Sequence, residues 1–187
     1  MNDNHKFCGS DEWRAIVRES ILPSALVDVD LGDDLLEVGP GYGATTDVLA
    51  EWAPKLTAVE IDPELATMLA ERFASVPSVS IINADATSLD FPEATFSAAV
   101  SFTMLHHVPN IDLQDRMFTE VRRVLRSGGV FVAGDSLYSP ELEAGHVGDT
   151  YNPVDPEHLP TRLGAVGFVD VEVTTNSFGW LARGKRP

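Results

Sequence analysis

The stretch LLEVGPGYGATT, residues 35–46, runs from apolar residues into glycines at 39, 41 and 43 and then into a helix-like pattern. Glycine this dense at the mouth of a strand lets something approach the backbone, and it tolerates a positive φ where the turn demands one. In open α/β folds that place, the carboxyl edge of a strand, is where ligands bind. Two nucleotide-type cofactors fit. Read as G-x-G-x-x-A with Ala44, the segment matches a relaxed dinucleotide fingerprint, with Glu60 at a suitable distance to hold a ribose. A tight strand–helix turn without a ligand is the third reading.

Outward from this segment the chain alternates apolar runs with helical patterns, which predicts βαβ units and a mainly parallel sheet. Strands are expected at 35–39, 56–61, 79–84, 96–102 and 130–135. Helices are expected from about Ala44 to Trp52, from Pro63 onward, and through IDLQDRMFTEVRRVLRSGG. In the last, Leu113, Met117, Val121, Val124 and Leu125 share a face and Gly128 suits a left-handed exit. Ser10 is placed to cap a first helix carrying Trp13, Ile16, Val17 and Ile21. Residues 136–154 read as the largest loop. A helix near 155–166 follows, then VDVEVTT and GWLARG as a hairpin that puts an antiparallel strand in the sheet.

Totals narrow the class. A chain of 187 residues with 44% hydrophobic and 22% charged residues has an ordinary globular balance, and its length suits one domain. The lone Cys8 reads as a spare thiol in a loose N-terminal segment and excludes an internal disulfide. No run approaches the ~20 apolar residues of a membrane span, so no membrane partner is expected. The polar start lacks a signal-peptide core, so a cytoplasmic location is the expectation. Formal charge is −16, from 29 acids against 13 Lys and Arg. Such a surface repels phosphate backbones, so nucleic acid is not expected as a partner. Arg122, Arg123 and Arg126 read as a solvated helix end, and the tail ARGKRP as a frayed terminus.

Three acids separate the cofactor readings. Glu37 lies inside the first strand, a costly place for an unpartnered carboxylate. Glu60 closes the second strand in AVEIDPE, and Asp85 closes the third in INADAT. Parallel strands bring those ends to one edge, beside the glycine turn. A dinucleotide would bring two phosphates toward Glu37, whereas a cationic cofactor is favoured there.

On these motifs, together with LHHV and RRVLRSGGVFVAGD, the chain resembles the class I S-adenosylmethionine-dependent methyltransferases of the small-molecule, type 11-like group. The resemblance covers about residues 33–135, with a fainter echo in LGAVGFVDVEV. It implies a Rossmann-like three-layer α/β sandwich with a mainly parallel seven-stranded sheet, order 3-2-1-4-5-7-6, strand 7 antiparallel. It divides the one domain into an N-terminal helical lid (1–32), a cofactor core (33–135) and an acceptor-side segment with closing hairpin (136–187). Glu37, Gly39, Pro40, Gly41, Tyr42 and Gly43 would wrap the amino-acid half of S-adenosylmethionine. Glu60 would take the ribose hydroxyls in a charge-assisted, bidentate way. Ile61 and Ser101 would lie beside the cofactor, Asp85 would hold the adenine amino group, and Ala86 would supply a ring-contacting amide. One departure is TFSAAV, where Ser97 stands in place of the family's aspartate and weakens a local packing or capping contact.

The expected reaction is in-line displacement at the methyl carbon, giving S-adenosylhomocysteine, with alignment supplying much of the acceleration. A base within hydrogen-bond reach serves hydroxyl or amine acceptors. His106 and His107, after the fourth strand, are the catalytic candidates, with packing near the cofactor as their other reading. Tyr138, His146, Tyr151 and His158 are candidates to line an acceptor pocket, and Trp13 to form part of a lid. Asp135, without a second carboxylate, is not read as a metal ligand, and no metal is expected. The segment after the fourth strand lacks both the Asn/Asp-Pro-Pro-Tyr-like run of DNA and protein amide methylases and the paired glutamates of protein-arginine methylases, which leaves a small organic acceptor; a monomer or homodimer is expected. The rival readings are an NAD-type oxidoreductase and a non-catalytic S-adenosylmethionine-binding module.

Overall fold

The computed structural model describes residues 3–187. Seven strands form one sheet: β1 (Leu35–Val38), β2 (Leu56–Glu60), β3 (Val79–Asn83), β4 (Phe96–Phe102), β5 (Leu125–Ser136), β6 (Val169–Thr175) and β7 (Gly179–Lys185). Their order is β3-β2-β1-β4-β5-β7-β6. β1 to β5 pair in parallel, and β7 runs antiparallel to both β5 and β6. The expected topology stands, antiparallel strand included.

The helices are α1 (Asp11–Ile16), α2 (Leu22–Ala25), α3 (Ala44–Trp52), α4 (Pro63–Arg72), α5 (Ile111–Val124), α6 (Pro140–Gly145) and α7 (Leu159–Ala165). Successive strand residues point to opposite faces, so the sheet needs cover on both. Leu36 and Val38 join the core under α5 with Met117, Phe118 and Val121. Leu35 turns the other way and packs with Val17, Leu22, Val48 and Leu49 of the helices across the sheet. Helix starts follow their capping residues. Ser10 accepts from the Trp13 amide, Asp62 from Glu64 and Leu65, and Asn110 from Leu113.

Several expectations shift. The first helix continues through a π-helical turn at Val17–Ile21 into α2, so the helical run is longer than the pattern of apolar residues suggests. The supposed loop 136–154 contains α6, where Ser139 caps and Pro140 takes the first turn. Gly128 does have a positive φ of 79°, but it lies within the lengthened β5, because α5 stops at Val124 and pairing begins at once. The arginines are tied down rather than solvated. Arg123 donates to Glu120 and to the carbonyls of Leu89 and Phe91, and Arg122 to the carbonyl of Gly167. Most of the tail is strand β7, and Arg186 donates to the carbonyl of Arg123 (2.7 Å). Ser97 is a stitch: its hydroxyl accepts from the Asp34 amide (2.9 Å) and donates to the Leu31 carbonyl (2.7 Å). Among the described residues no helix is long and apolar enough to cross a membrane.

Candidate functional site

The carboxyl ends of β1, β2 and β4, with the loop after β3, surround a cavity of about 440 Å³, within the range of small-molecule sites. The turn after β1 forms one wall. Gly39, Gly41 and Gly43 all have positive φ, at 72°, 55° and 77°. Their surroundings differ. A Cβ on Gly39 would sit 2.1 Å from Met104 Cγ, and one on Gly43 2.5 Å from Leu69 Cδ2, whereas one on Gly41 would meet nothing within 4 Å. The outer two glycines serve packing, and the middle one leaves open space. From below, α4 sends Arg72 to donate to the carbonyls of Tyr42 (2.9 Å) and Gly43 (3.0 Å) and to pair with Asp47, so the turn is clamped.

Glu60 closes β2 with both oxygens engaged. Oε2 accepts from the Gly41 amide and Oε1 from the Asp62 amide, each at 2.9 Å. A carboxylate has about four acceptor positions, so capacity remains toward the cavity that Glu60 lines. Burial pushes its pKa up, partly offset by those amide bonds. Asp85 lines the same cavity, one oxygen capped by the Thr87 amide (2.8 Å), with Ala86 beside it. Ile61 is 67% exposed and lines this space.

The expected site residues divide. Gly39, Pro40, Gly41, Tyr42, Glu60, Ile61, Asp85, Ala86 and His107 border the cavity. Glu37, Gly43, Ser101 and His106 do not. Glu37 is 2% exposed beneath the glycine turn, its Oε2 without a partner. Burial drives its pKa to about 8, and the neighbouring charges of Asp47 and Glu60 push the same way. Ser101 is buried inside β4, its hydroxyl also unpartnered. His106 faces Asp135 instead: its Nδ1 lies 2.8 and 2.9 Å from the two carboxylate oxygens, and its amide donates to Oδ2.

Other wall residues carried no signal in the sequence. Thr103, at the end of β4, has φ 52°, an uncommon state for a β-branched residue that concentrates at functional sites. Cys8 is not in a loose segment. It lies in a 3-10 helix, Asp3–Gly9, borders the cavity, and burial raises its thiol pKa. A second cleft of about 740 Å³ opens toward the β6–β7 hairpin and shares Trp13, Phe102 and Thr103 with the first. Asp135, Phe178 and Trp180 line it, and the buried Trp180 Nε1 has no hydrogen-bond partner. Of the late aromatic and histidine residues, Tyr151 stacks on His146 with ring centroids 4.6 Å apart, while Tyr138 bonds Glu143 and the exposed His158 pairs with Asp155.

The family described as methyltransferase domain matches residues 36–133, just over half the chain. A ribosomal RNA small subunit methyltransferase A from Geobacter sulfurreducens is 49% identical over 70 residues, 37% of this chain and 25% of that protein. The sterol 4-C-methyltransferase strm-1 of Caenorhabditis elegans is 33% identical over 111 residues, 58% of this chain and 32% of that protein. The chain thus spans between a quarter and a third of the length of these two relatives. A crystal structure of an S-adenosylmethionine-dependent methyltransferase from Aquifex aeolicus superposes with a TM-score of 0.79 at 14% identity, covering 100% of both chains.

The Geobacter match corrects one expectation, that nucleic acid is excluded as a partner. Net charge measures generic attraction to phosphate, summed over a surface. It does not measure what a particular cleft presents to a methyl group, and a cofactor core can be shared by enzymes with unlike acceptors.

Proposed function

The chain belongs to the methyltransferase domain family of S-adenosylmethionine-dependent enzymes, and from that premise we propose that it transfers a methyl group from S-adenosylmethionine to a small organic acceptor. The observation that carries the reading is the pairing of the two clefts across Thr103. One is bordered by the glycine turn and strand-end carboxylates, and the other by Trp13, Phe102, Phe178 and Trp180 among small, polar and aliphatic residues. The cofactor presents a methyl on a sulfonium centre, an electrophile whose charge disappears on transfer.

In this reading Glu60 accepts the two ribose hydroxyls and Asp85 the adenine amino group, with the Ala86 amide and Ile61 against the ring. The open face at Gly41 admits the amino-acid half, beside Pro40 and Tyr42. Gly39 and Gly43 hold the turn in shape, and Glu37, its pKa raised to about 8 by burial below the turn, becomes charged as the cation binds. Ser101 sits behind the wall as support. Residues up to 32 act as a lid through Trp13, which borders both clefts. The acceptor lies on the hairpin side, its reactive atom aimed past Thr103. Holding the acceptor in line with methyl and sulfur supplies most of the acceleration. His107, on the first cavity's wall, is the base in this reading. His106 is a positioning residue, fixed by Asp135.

The test is calorimetric titration with S-adenosylmethionine and with NAD, followed by incubation with methyl-labelled cofactor and separate small-molecule and RNA extracts. Label in a small product supports the reading, and label in RNA moves the acceptor to nucleic acid. Tight cofactor binding with no transfer to either would make the protein a binding module.

A further inference from the structure

Two neighbouring histidines and a third from a distant loop meet beside the first cavity. One ring nitrogen from each of His106, His107 and His146 lies within 4.8 Å of those of the other two. Ring centroids are 4.2 Å apart for His106–His107, 5.0 Å for His106–His146 and 5.3 Å for His107–His146. His107 sits on the 3-10 turn Leu105–His107, and His146 directly follows α6.

The hydrogen bonds decide what two of these rings present. His106 Nδ1 faces both oxygens of the Asp135 carboxylate, which only accepts, so Nδ1 carries the proton. His146 Nδ1 lies 2.6 Å from the Leu142 carbonyl, another pure acceptor. In each neutral ring the lone pair is then on Nε2. A carboxylate or carbonyl behind Nδ1 is the arrangement that orients metal-binding imidazoles and raises their basicity. Asp135 is itself fixed, accepting also from the amides of His106 (3.1 Å) and Ser136 (2.8 Å).

We propose that His106, His107 and His146 form a three-imidazole site for one zinc ion, with a fourth position open to the cavity that His107 borders. Three neutral nitrogens suit zinc and not the oxygen-seeking magnesium or calcium. Zinc–nitrogen bonds of about 2.0–2.1 Å require tetrahedral nitrogens roughly 3.4 Å apart, within side-chain rotation of the observed spread. The ion would tie α6 and its following loop to the turn after β4, closing the acceptor side. The absence of metal expected from Asp135 considered only carboxylate ligands; here Asp135 stands behind a ligand. The inference rests on the cluster's geometry and not on the methyl-transfer reading.

The experiment uses tag-free protein stripped with chelator and titrated calorimetrically with zinc chloride, with magnesium as a control and cobalt(II) as a spectroscopic probe. One zinc per chain is expected. His107→Gln and His146→Gln should each weaken it at least tenfold. Wild-type cobalt protein should show the intense visible bands of a four-coordinate ion, a readout that survives a variant failing to fold. No stoichiometric uptake, uptake unchanged in both variants, or only the faint bands of six-coordinate cobalt would each overturn the proposal.

Discussion

The two sides of the central cleft are built differently. On one side lie the glycine turn, Glu60 and Asp85, each delivered by the end of a consecutive strand and held by nearby backbone amides. On the other lie His107 and Trp180, backed by His106, His146 and Tyr151, drawn from a 3-10 turn, the loop after a short helix and a hairpin strand. The first side is repeated local geometry. The second exists only when segments tens of residues apart dock together. A fold can therefore keep one cofactor wall while its acceptor wall varies, and the relatives named for RNA and for sterol are consistent with that division.

The sharpest way to break the comparison is at the glycines. Gly39→Ala puts a Cβ onto Met104 at positive φ, so strain and overpacking together should destabilise the fold by about 2–4 kcal/mol in denaturant titration. Gly41→Ala carries only the backbone term, about 1–2 kcal/mol, yet its methyl enters the open face and should abolish cofactor binding by calorimetry. Equal loss of stability in both would refute the division into packing and ligand-facing glycines.

Next comes binding. Asp85→Ala or Glu60→Ala should weaken S-adenosylmethionine by about 1.5–3 kcal/mol, the worth of a hydrogen bond to a charged group. The fold of the Asp85 variant should be unchanged. Unaltered affinity in both would remove the assigned roles.

Glu37 gives a smaller, pH-dependent effect. Its folded pKa of about 8 lies above the ordinary carboxylate value of 4.5. Its contribution is thus fully present below about 4.5 and is lost as pH rises through 8. Glu37→Gln, neutral at every pH, should melt higher than the natural protein at pH 9 by roughly 2–4 °C for each kcal/mol recovered. The gap should shrink toward pH 5. A cationic cofactor above Glu37 should favour its charged form, so binding near pH 7.5 should release protons, seen as a dependence of binding enthalpy on buffer.

The smallest change in stability is expected on the acceptor side. Phe178 is 86% exposed at the rim of the second cleft, so Phe178→Ser should alter stability within about 0.5 kcal/mol. It should raise the acceptor's KM while leaving cofactor affinity alone.

The sequence by itself determined the sheet order through the family motifs, and it brought the strand-end acids beside the glycine turn. Each acid there ends a strand whose apolar pattern is local, and parallel pairing of β1, β2 and β3 carries those ends to one edge without further information. Glu60 and Asp85 were legible for that reason. Tertiary structure alone decided the rest. It placed Glu37 and Ser101 behind the cavity wall, gave Cys8 a place on it, and turned Thr103 to positive φ. It also carried His146 forty residues along the chain to His106. Strand periodicity is a short-range signal, whereas the path of a loop is set by the surfaces it docks on.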